Sequence, residues 1–217
     1  MKNRKKVLIT AGPTVEELDP VRYISNYSTG TMGYSLAREA VNRGYEVALI
    51  SGPVSIPAPH GAKLVKVTTA REMLGAVKKH IGGSSCLVMA AAVCDFAPAK
   101  RSATKIKKRA RLVIQFTPNP DILGEVKDVP GVFKVGFALE TGGLFGKALC
   151  KLKAKGLDLI VANKAGRGRK DGGPFGAGKK DFMVISRDGR KRTRMGVTKE
   201  KMAGYIFDDI EKAAEAA

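Results

Sequence analysis

Short apolar runs alternate along this chain with stretches whose apolar residues recur at helical spacing, and no other feature limits its fold as much. Val7–Ala11 ends at Gly12-Pro13, Glu46–Ile50 ends at Ser51-Gly52-Pro53, and Cys86–Ala92 is apolar almost throughout. A strand that is apolar on both faces must be covered on both, and intervening helices are the usual cover. Between the first two runs, Met32, Leu36, Ala40 and Val41 fall on one helical face, with Ser28 or Thr29 as N-cap and Gly44 as the stop. Thr69 caps a second helix over Glu72–His80. The order strand, helix, strand, helix, strand predicts the α/β class: a three-layer αβα sandwich around a mostly parallel sheet.

The later sequence extends the same scheme. Leu112–Phe116 and Val132–Phe137 read as strands, with a helix near Asp121–Lys127 between them. A helix over Leu144–Lys155 leads to a strand at Leu157–Val161. Residues 164–180 are Gly-rich, basic and without apolar period, which predicts a loop. Asp181–Ser186 and Lys191–Met195, joined by Arg187-Asp188-Gly189-Arg190, read as an antiparallel hairpin on the sheet edge. Thr198 opens a last helix with Met202, Ile206 and Ile210 on one face. No repeat and no linker divides residues 1–217, which read as a single domain with enough chain to bury a core.

No apolar run approaches the ~18 residues of a membrane span, and the basic start Met1–Lys6 leads into too short an apolar stretch for a signal peptide. Cys86, Cys94 and Cys150 lack CxxC spacing and read as small core residues in a reducing compartment. The expectation is a cytoplasmic protein with no membrane partner. Lys and Arg number 39 against 20 Asp and Glu, a formal charge of +19, so nucleic acid is the first partner to weigh. The charge gathers in residues 100–111, 147–170 and 187–194. No aromatics interleave with it, and no zinc-finger or helix-turn-helix signature appears. A phosphorylated small molecule matches compact basic loops equally well, so charge alone leaves both open.

In such a fold, ligands bind beyond the C-terminal strand ends. Four segments should meet there: the loop after the first strand and the residues after Ala92, Phe116 and Phe137. The first carries a Gly/Ser/Thr stretch that opens a helix, where backbone N–H groups can hold an anion. Gly30-Thr31-Met32-Gly33 is not GxGxxG, the second strand ends in Ser51 rather than an acid, and no YxxxK appears, which argues against a dinucleotide reductase. Arg22 can fork onto a carboxylate or phosphate and Asn26 offers donor and acceptor; alone, each reads as a surface charge and a turn residue. Asp95 suits a metal ion, a sugar hydroxyl or a turn. Lys105 and Lys107 share one face of an extended segment that can act as a flap over a phosphate chain. Lys147, Lys151 and Lys155 stack at i, i+4, i+8, a like-charge arrangement that costs about 0.2–0.5 kcal/mol per pair unless an anion offsets it. With only His60 and His80 available, no nucleophilic triad can be assembled. The inventory suits positioning and charge neutralisation, as in nucleotidyl transfer.

Together these segments resemble a known family. ITAGPT at 9–14, DPVRYISNYSTGTMG at 19–33, AAV-x-DF at 91–96, KIKK at 105–108, NPDIL at 119–123, GFALET at 136–141 and KAKGLDLIVAN at 153–163 resemble phosphopantothenoylcysteine synthetase of the bacterial type. That is commonly the C-terminal half of a bifunctional flavoprotein of coenzyme A biosynthesis. The likeness covers residues 7–163 well and the remainder loosely. It implies a modified Rossmann-like fold and a ligase that joins 4′-phosphopantothenate to L-cysteine through an acyl-cytidylate, using CTP and releasing pyrophosphate and CMP. The resemblance gives Asn26, Arg22 and Lys105 catalytic roles. It assigns Asp95, Lys105, Asn119, Pro120, Asp121, Ile122, Phe137, Lys151 and Lys155 to the nucleotide. Asn26, Arg22, Ala91 and Ala92 go to the acyl substrate. Mg²⁺ would be held mainly by the triphosphate, with Asp95 one candidate ligand. The family forms homodimers in which a flap, here about 96–111, completes the partner's site. The flavin-containing decarboxylase half has no counterpart here, so the resemblance implies no FMN, a monofunctional chain or excised domain, and a separate decarboxylase. The rival of a different class is a basic nucleic-acid-binding module without catalysis.

Overall fold

The computed structural model describes residues 5–165, 175–176 and 178–215. The chain runs β1 (Lys6–Ala11), β2 (Val15–Glu17), β3 (Tyr23–Ser25), α1 (Thr31–Asn42), β4 (Glu46–Ser51), β5 (Ala62–Lys66) and α2 (Ala70–Ile81). It continues through β6 (Cys86–Met89), β7 (Phe96–Pro98), β8 (Phe116–Pro118), α3 (Ile122–Glu125), β9 (Phe133–Glu140) and α4 (Leu144–Ala154). The last elements are β10 (Leu159–Lys164), β11 (Lys180–Ser186), β12 (Lys191–Val197) and α5 (Lys199–Glu215). Eight strands form one sheet in the order β12-β11-β10-β9-β6-β1-β4-β5. The six from β5 to β10 run parallel, with Val7 opposite both Val47 and Cys86, and β11 and β12 close one edge antiparallel.

Alternation along β1 explains the layers. Val7, Ile9 and Ala11 pack with Leu36, Ala37 and Ala40 of α1 and with Met202, Ile206 and Phe207 of α5. Leu8 faces the other way, into a cluster with Met73 and Val77 of α2, Leu123 of α3 and Leu152 of α4. Helices therefore cover both faces, as the apolar strands require. Thr69 closes a capping box with Glu72 at the start of α2. Where α1 crosses β1, Gly33 is needed for space: a Cβ there would lie 2.5 Å from the Ala11 Cβ.

Several boundaries differ from the sequence reading. The third strand stops at Met89 rather than Ala92. Leu112–Phe116 is not a strand of the sheet, because both edges of β6 are already taken by β1 and β9. Leu112 and Val113 stay exposed, and only Phe116–Pro118 pairs, antiparallel with β7. Neither Ser28 nor Thr29 caps α1; Gly30 does, at φ 78, without a side-chain bond. The loop after β1 holds an unforeseen β2–β3 hairpin, and β5 adds an unforeseen edge strand beside β4. The helix foreseen over Asp121–Lys127 is the short α3. Cys86 and Cys94 are buried, whereas Cys150 is exposed on α4 and is not a core residue. Most of the foreseen loop 164–180 lies outside the described residues. Among the described residues, no helix is long and apolar enough to cross a membrane.

Candidate active site

From β1 the chain turns through α1 to β4 on one side, while β6 flanks β1 on the other, so the sheet's topological switch lies between β1 and β6. Beyond their C-terminal ends Pro13 and Ala92 bridge in parallel. A cavity of about 610 Å³ opens there. Hydrogen bonds tie its loops together. Thr14, fully buried, accepts the Cys94 N–H on Oγ1 at 2.8 Å, and its carbonyl accepts Ser25 Oγ at 2.8 Å. The neighbouring Asn26 donates Nδ2 to the Ala92 carbonyl at 2.9 Å. Asn119 donates Nδ2 to the Cys94 carbonyl at 3.0 Å and its N–H to the Asp95 carbonyl at 2.8 Å. Burial pushes the Cys94 thiol up, away from the thiolate a nucleophile would need.

The cations have distinct partners. Lys151 of α4 reaches into the cleft and donates Nζ to the Phe137 carbonyl at 2.9 Å. Burial, then the neighbouring Lys155 ammonium, pushes its pKa down. Lys155 pairs with Asp121, which also accepts the Gly124 N–H at 3.1 Å and so caps α3. Burial is the strongest single influence on Asp121 and works to raise its pKa, but the Lys155 hydrogen bond, the Gly124 N–H and the charges of Lys155 and Lys151 together outweigh it, and the carboxyl stays below its ordinary range. Lys147 leaves the stack and pairs with Glu140 at 2.9 Å. Lys199, which sequence reasoning missed, also lines the cleft, with Ser28, Thr29, Thr31, Met32, Asn163 and Phe175. A signal was available: Lys199 is the first residue of a helix, where the dipole disfavours a cation.

Of the residues singled out from sequence, Asn26, Ala91, Ala92, Asp95, Asn119, Pro120, Asp121, Ile122, Phe137, Lys151 and Lys155 line this one cleft. Arg22 and Lys105 do not. Arg22 is drawn to Asp19, whose fully buried carboxylate accepts Arg22 Nη2 at 2.5 Å and Nε at 3.1 Å. The same carboxylate takes backbone N–H groups from Val21, Arg22 and Ile106. Arg22 also donates to the Ile106 carbonyl at 2.8 Å. The clamp thus fixes Ile106 between the exposed Lys105 and Lys107. The Arg22 hydrogen bond is the main reason the Asp19 carboxyl stays far below the usual carboxylate range. Around this segment Val21, Tyr23, Phe96, Leu112, Val113 and Phe116 form exposed apolar surface. Among the described residues, no three His, Cys, Asp or Glu gather where they could hold a metal ion.

A doubly wound α/β sheet with a cationic cleft at its switch point defines a protein of the Rossmann-like α/β class. The chain belongs to the DNA/pantothenate metabolism flavoprotein C-terminal domain family, whose profile matches residues 2–214. Over 216 residues it is 39% identical to the coenzyme A biosynthesis bifunctional protein CoaBC of Thermococcus kodakarensis, covering 96% of this chain and 51% of that one. Its likeness to the Escherichia coli CoaBC is 39% over 210 residues, 94% of this chain and 51% of that protein. The chain thus spans about half the length of the curated relatives it matches. The crystal structure of the C-terminal domain of a CoaBC superposes with a TM-score of 0.84 at 34% identity, covering 98% and 97% of the two chains. A Cab2 mutant in complex with phosphopantothenate-cysteine shares the fold at TM-score 0.76 and 20% identity, over 98% and 88%.

Proposed function

We propose that this cleft makes phosphopantothenoylcysteine from 4′-phosphopantothenate and L-cysteine, with CTP as the activating co-substrate. The observation that carries the reading is the convergence of Asn26, Ala91, Ala92, Asp95, Asn119–Ile122, Phe137, Lys151 and Lys155 on one cavity. In the first step the pantothenate carboxylate attacks the α-phosphorus of CTP; an acyl–oxygen–phosphorus bond forms and pyrophosphate leaves. In the second, the cysteine amine forms the amide bond, CMP leaves with the acyl oxygen, and the amine loses its proton. The chain's part is to align two anions and offset their repulsion. Lys151, held on a backbone carbonyl, and Lys155, held on Asp121, are cations already in place before substrate arrives. Asn26, fixed on the Ala92 carbonyl, is set beside the small residues that let an acyl group approach the backbone.

Mg²⁺ would neutralise the triphosphate. Among the described residues lining the cleft, Asp121 is paired with Lys155 and Asp95 is in no ion pair, which fits an ion carried in mainly by phosphate oxygens, the usual arrangement for this cation. Lys105 enters through the flap: the exposed apolar surface around residues 96–116 supports a homodimer in which one subunit's flap closes the partner's cleft. These residues would act in the cytoplasm, their product passing to a decarboxylase.

The test is product release from purified chain with Mg²⁺. Pyrophosphate should appear from CTP only when phosphopantothenate is present, and CMP only when cysteine is added as well. ATP in place of CTP decides the base preference. Release of neither product removes the proposal.

A further inference from the structure

Lys199 is an anomaly in the cleft. The residue is only 8% exposed, yet among the described residues no carboxylate lies within ion-pair distance of its ammonium. Lys is almost never buried this far without a partner of opposite charge. Among the described residues, the ammonium's one hydrogen bond is a 2.8 Å donation to the Phe175 carbonyl. An ammonium carries three donors, so most of its capacity is unspent. Its neighbour Glu200 is turned to Ser35 instead. Burial, then the approach of Lys180, pushes the Lys199 pKa down, so the charged form is disfavoured where it stands. Its place in the first turn of α5 adds to the cost.

The cleft around it is built from the start of α1. Ser28, Thr29, Gly30, Thr31 and Met32 line the same cavity as Lys199. Gly30 caps this twelve-residue helix without any side-chain bond to its first amides. Thr29 Oγ1 donates to the same Phe175 carbonyl at 3.2 Å and lies 2.8 Å from Thr31 Oγ1. Hydroxyls, helix amides and a buried ammonium therefore converge on one wall. Lys151 holds the corresponding post on the other wall, parked in the same way on the Phe137 carbonyl. α1 and α5 lie on one face of the sheet and α4 on the other, so the two lysines come from opposite helix layers.

We propose that Lys199 and the first turn of α1 form a phosphate-binding pole of the cleft, the counterpart of the Lys151–Lys155 pole. The inference rests on the ligase reading and goes beyond it by assigning a residue outside the sequence-derived set. The group it takes is a phosphoryl dianion, supplied either by the nucleotide's polyphosphate or by the 4′-phosphate of phosphopantothenate. On binding, the ammonium leaves the Phe175 carbonyl for the phosphate oxygens, and its missing counter-charge is supplied.

Titration calorimetry of CTP with Mg²⁺ and of phosphopantothenate, each against the wild-type chain, Lys199→Gln and Lys199→Arg, tests this. Glutamine keeps a donor for the Phe175 carbonyl but has no charge. In Lys199→Gln, affinity for one of the two ligands should fall at least tenfold while the other moves less than twofold; the ligand that loses names the source. Lys199→Arg should recover most of the loss. Without ligand, Lys199→Gln should melt no lower than wild type, because it removes an unpaired buried charge. If Lys199→Gln folds and binds both ligands within twofold of wild type, the pole is refuted and the ligase reading stands. If wild type binds neither ligand, the site reading itself fails and the pole with it. If Lys199→Gln melts well below wild type, Lys199 is a structural lysine and the proposal is overturned.

Discussion

Replacing Gly33 by alanine sets two opposed effects against each other. In an exposed helix interior, glycine to alanine gains about 0.5–1 kcal/mol from backbone entropy. At Gly33 the new methyl would meet the Ala11 Cβ at 2.5 Å, and the Ala11 Cα and Thr10 carbonyl oxygen both at 2.9 Å. Two of those three atoms are backbone of the central strand, so they cannot rotate away and α1 must retreat from β1. Overpacking of this kind costs about 1–3 kcal/mol, and retreat also loosens Leu36, Ala37 and Ala40 in the same core. The net expectation is a loss of about 1–2 kcal/mol, or a Tm lower by roughly 2–8 °C in a chain of this size. Gly75 is the control: it lies on the exposed side of α2, and a Cβ there meets nothing within 4 Å. Gly75→Ala should raise Tm by roughly 1–4 °C. Calorimetric melts of both variants decide the matter, and a Gly33→Ala protein that melts higher than wild type refutes the close helix–strand contact. Because α1 begins at the cleft, Gly33→Ala should also weaken CTP binding, while Gly75→Ala leaves it unchanged.

Three further outcomes follow from particular contacts. Thr14→Val leaves the buried Cys94 N–H without its acceptor, so stability in urea should fall by about 1–3 kcal/mol and Thr14→Ser should restore it. Lys151→Met should cut CTP affinity at least tenfold with little change in Tm, because burial already works against its charge; wild-type affinity removes it from the nucleotide site. The Asp19 carboxyl is held in its ionised form by Arg22, so the unfolded chain takes up this proton at a higher pH than the folded one. Its contribution is complete above the ordinary carboxylate range and is lost as pH falls below about 4; a Tm-versus-pH curve from pH 5 to 2 should be flatter in Asp19→Asn than in wild type.

The sequence made the sheet legible because burial on both faces writes itself as uninterrupted apolar runs. β1, β4, β9 and the β11–β12 hairpin lie within one to three residues of their expected places. It misled at Leu112–Phe116, where apolar residues serve an exposed surface rather than a sheet position; an apolar run reports burial against something, not against what. The hairpin β2–β3 was hidden because its strands are three residues each and half of those residues are polar. Most of the candidate site was legible because its residues follow strand ends, and a parallel sheet gathers strand ends at one side. Lys199 was not, because it enters from the far end of the chain through α5. Arg22 was legible as a cation with a task but not as half of a clamp, since nothing local says that Asp19 will be buried beside Ile106.

The distribution of charge bears on what the surplus of +19 is for. In the β11–β12 hairpin nearly every cation is committed within the chain. Arg187 pairs with Asp158, Arg190 with Asp188 and Arg192 with Asp209, while Lys191 and Arg194 lie over the rings of Phe145 and Tyr205. Among the described residues, Lys105, Lys107, Lys108, Arg109 and Arg111 have no carboxylate partner. One cluster is therefore built into the fold, and the other carries charge that no carboxylate of the described residues offsets. The two hairpin pairs should not weigh alike. Asp209 is 9% exposed at its side chain, and burial raises its pKa against the pull of Arg192. Arg192→Gln strands that carboxylate and should cost about 1–3 kcal/mol in urea. Arg190 is 83% exposed, so Arg190→Gln should stay within about 0.5 kcal/mol of wild type. Neither change should alter CTP binding, whereas Lys107→Gln with Lys108→Gln should weaken an anion partner without touching stability. Equal losses of stability in the two hairpin variants would mean that Asp209 is not held by Arg192. A loss of CTP affinity in either would put the hairpin, not the flap, beside the nucleotide.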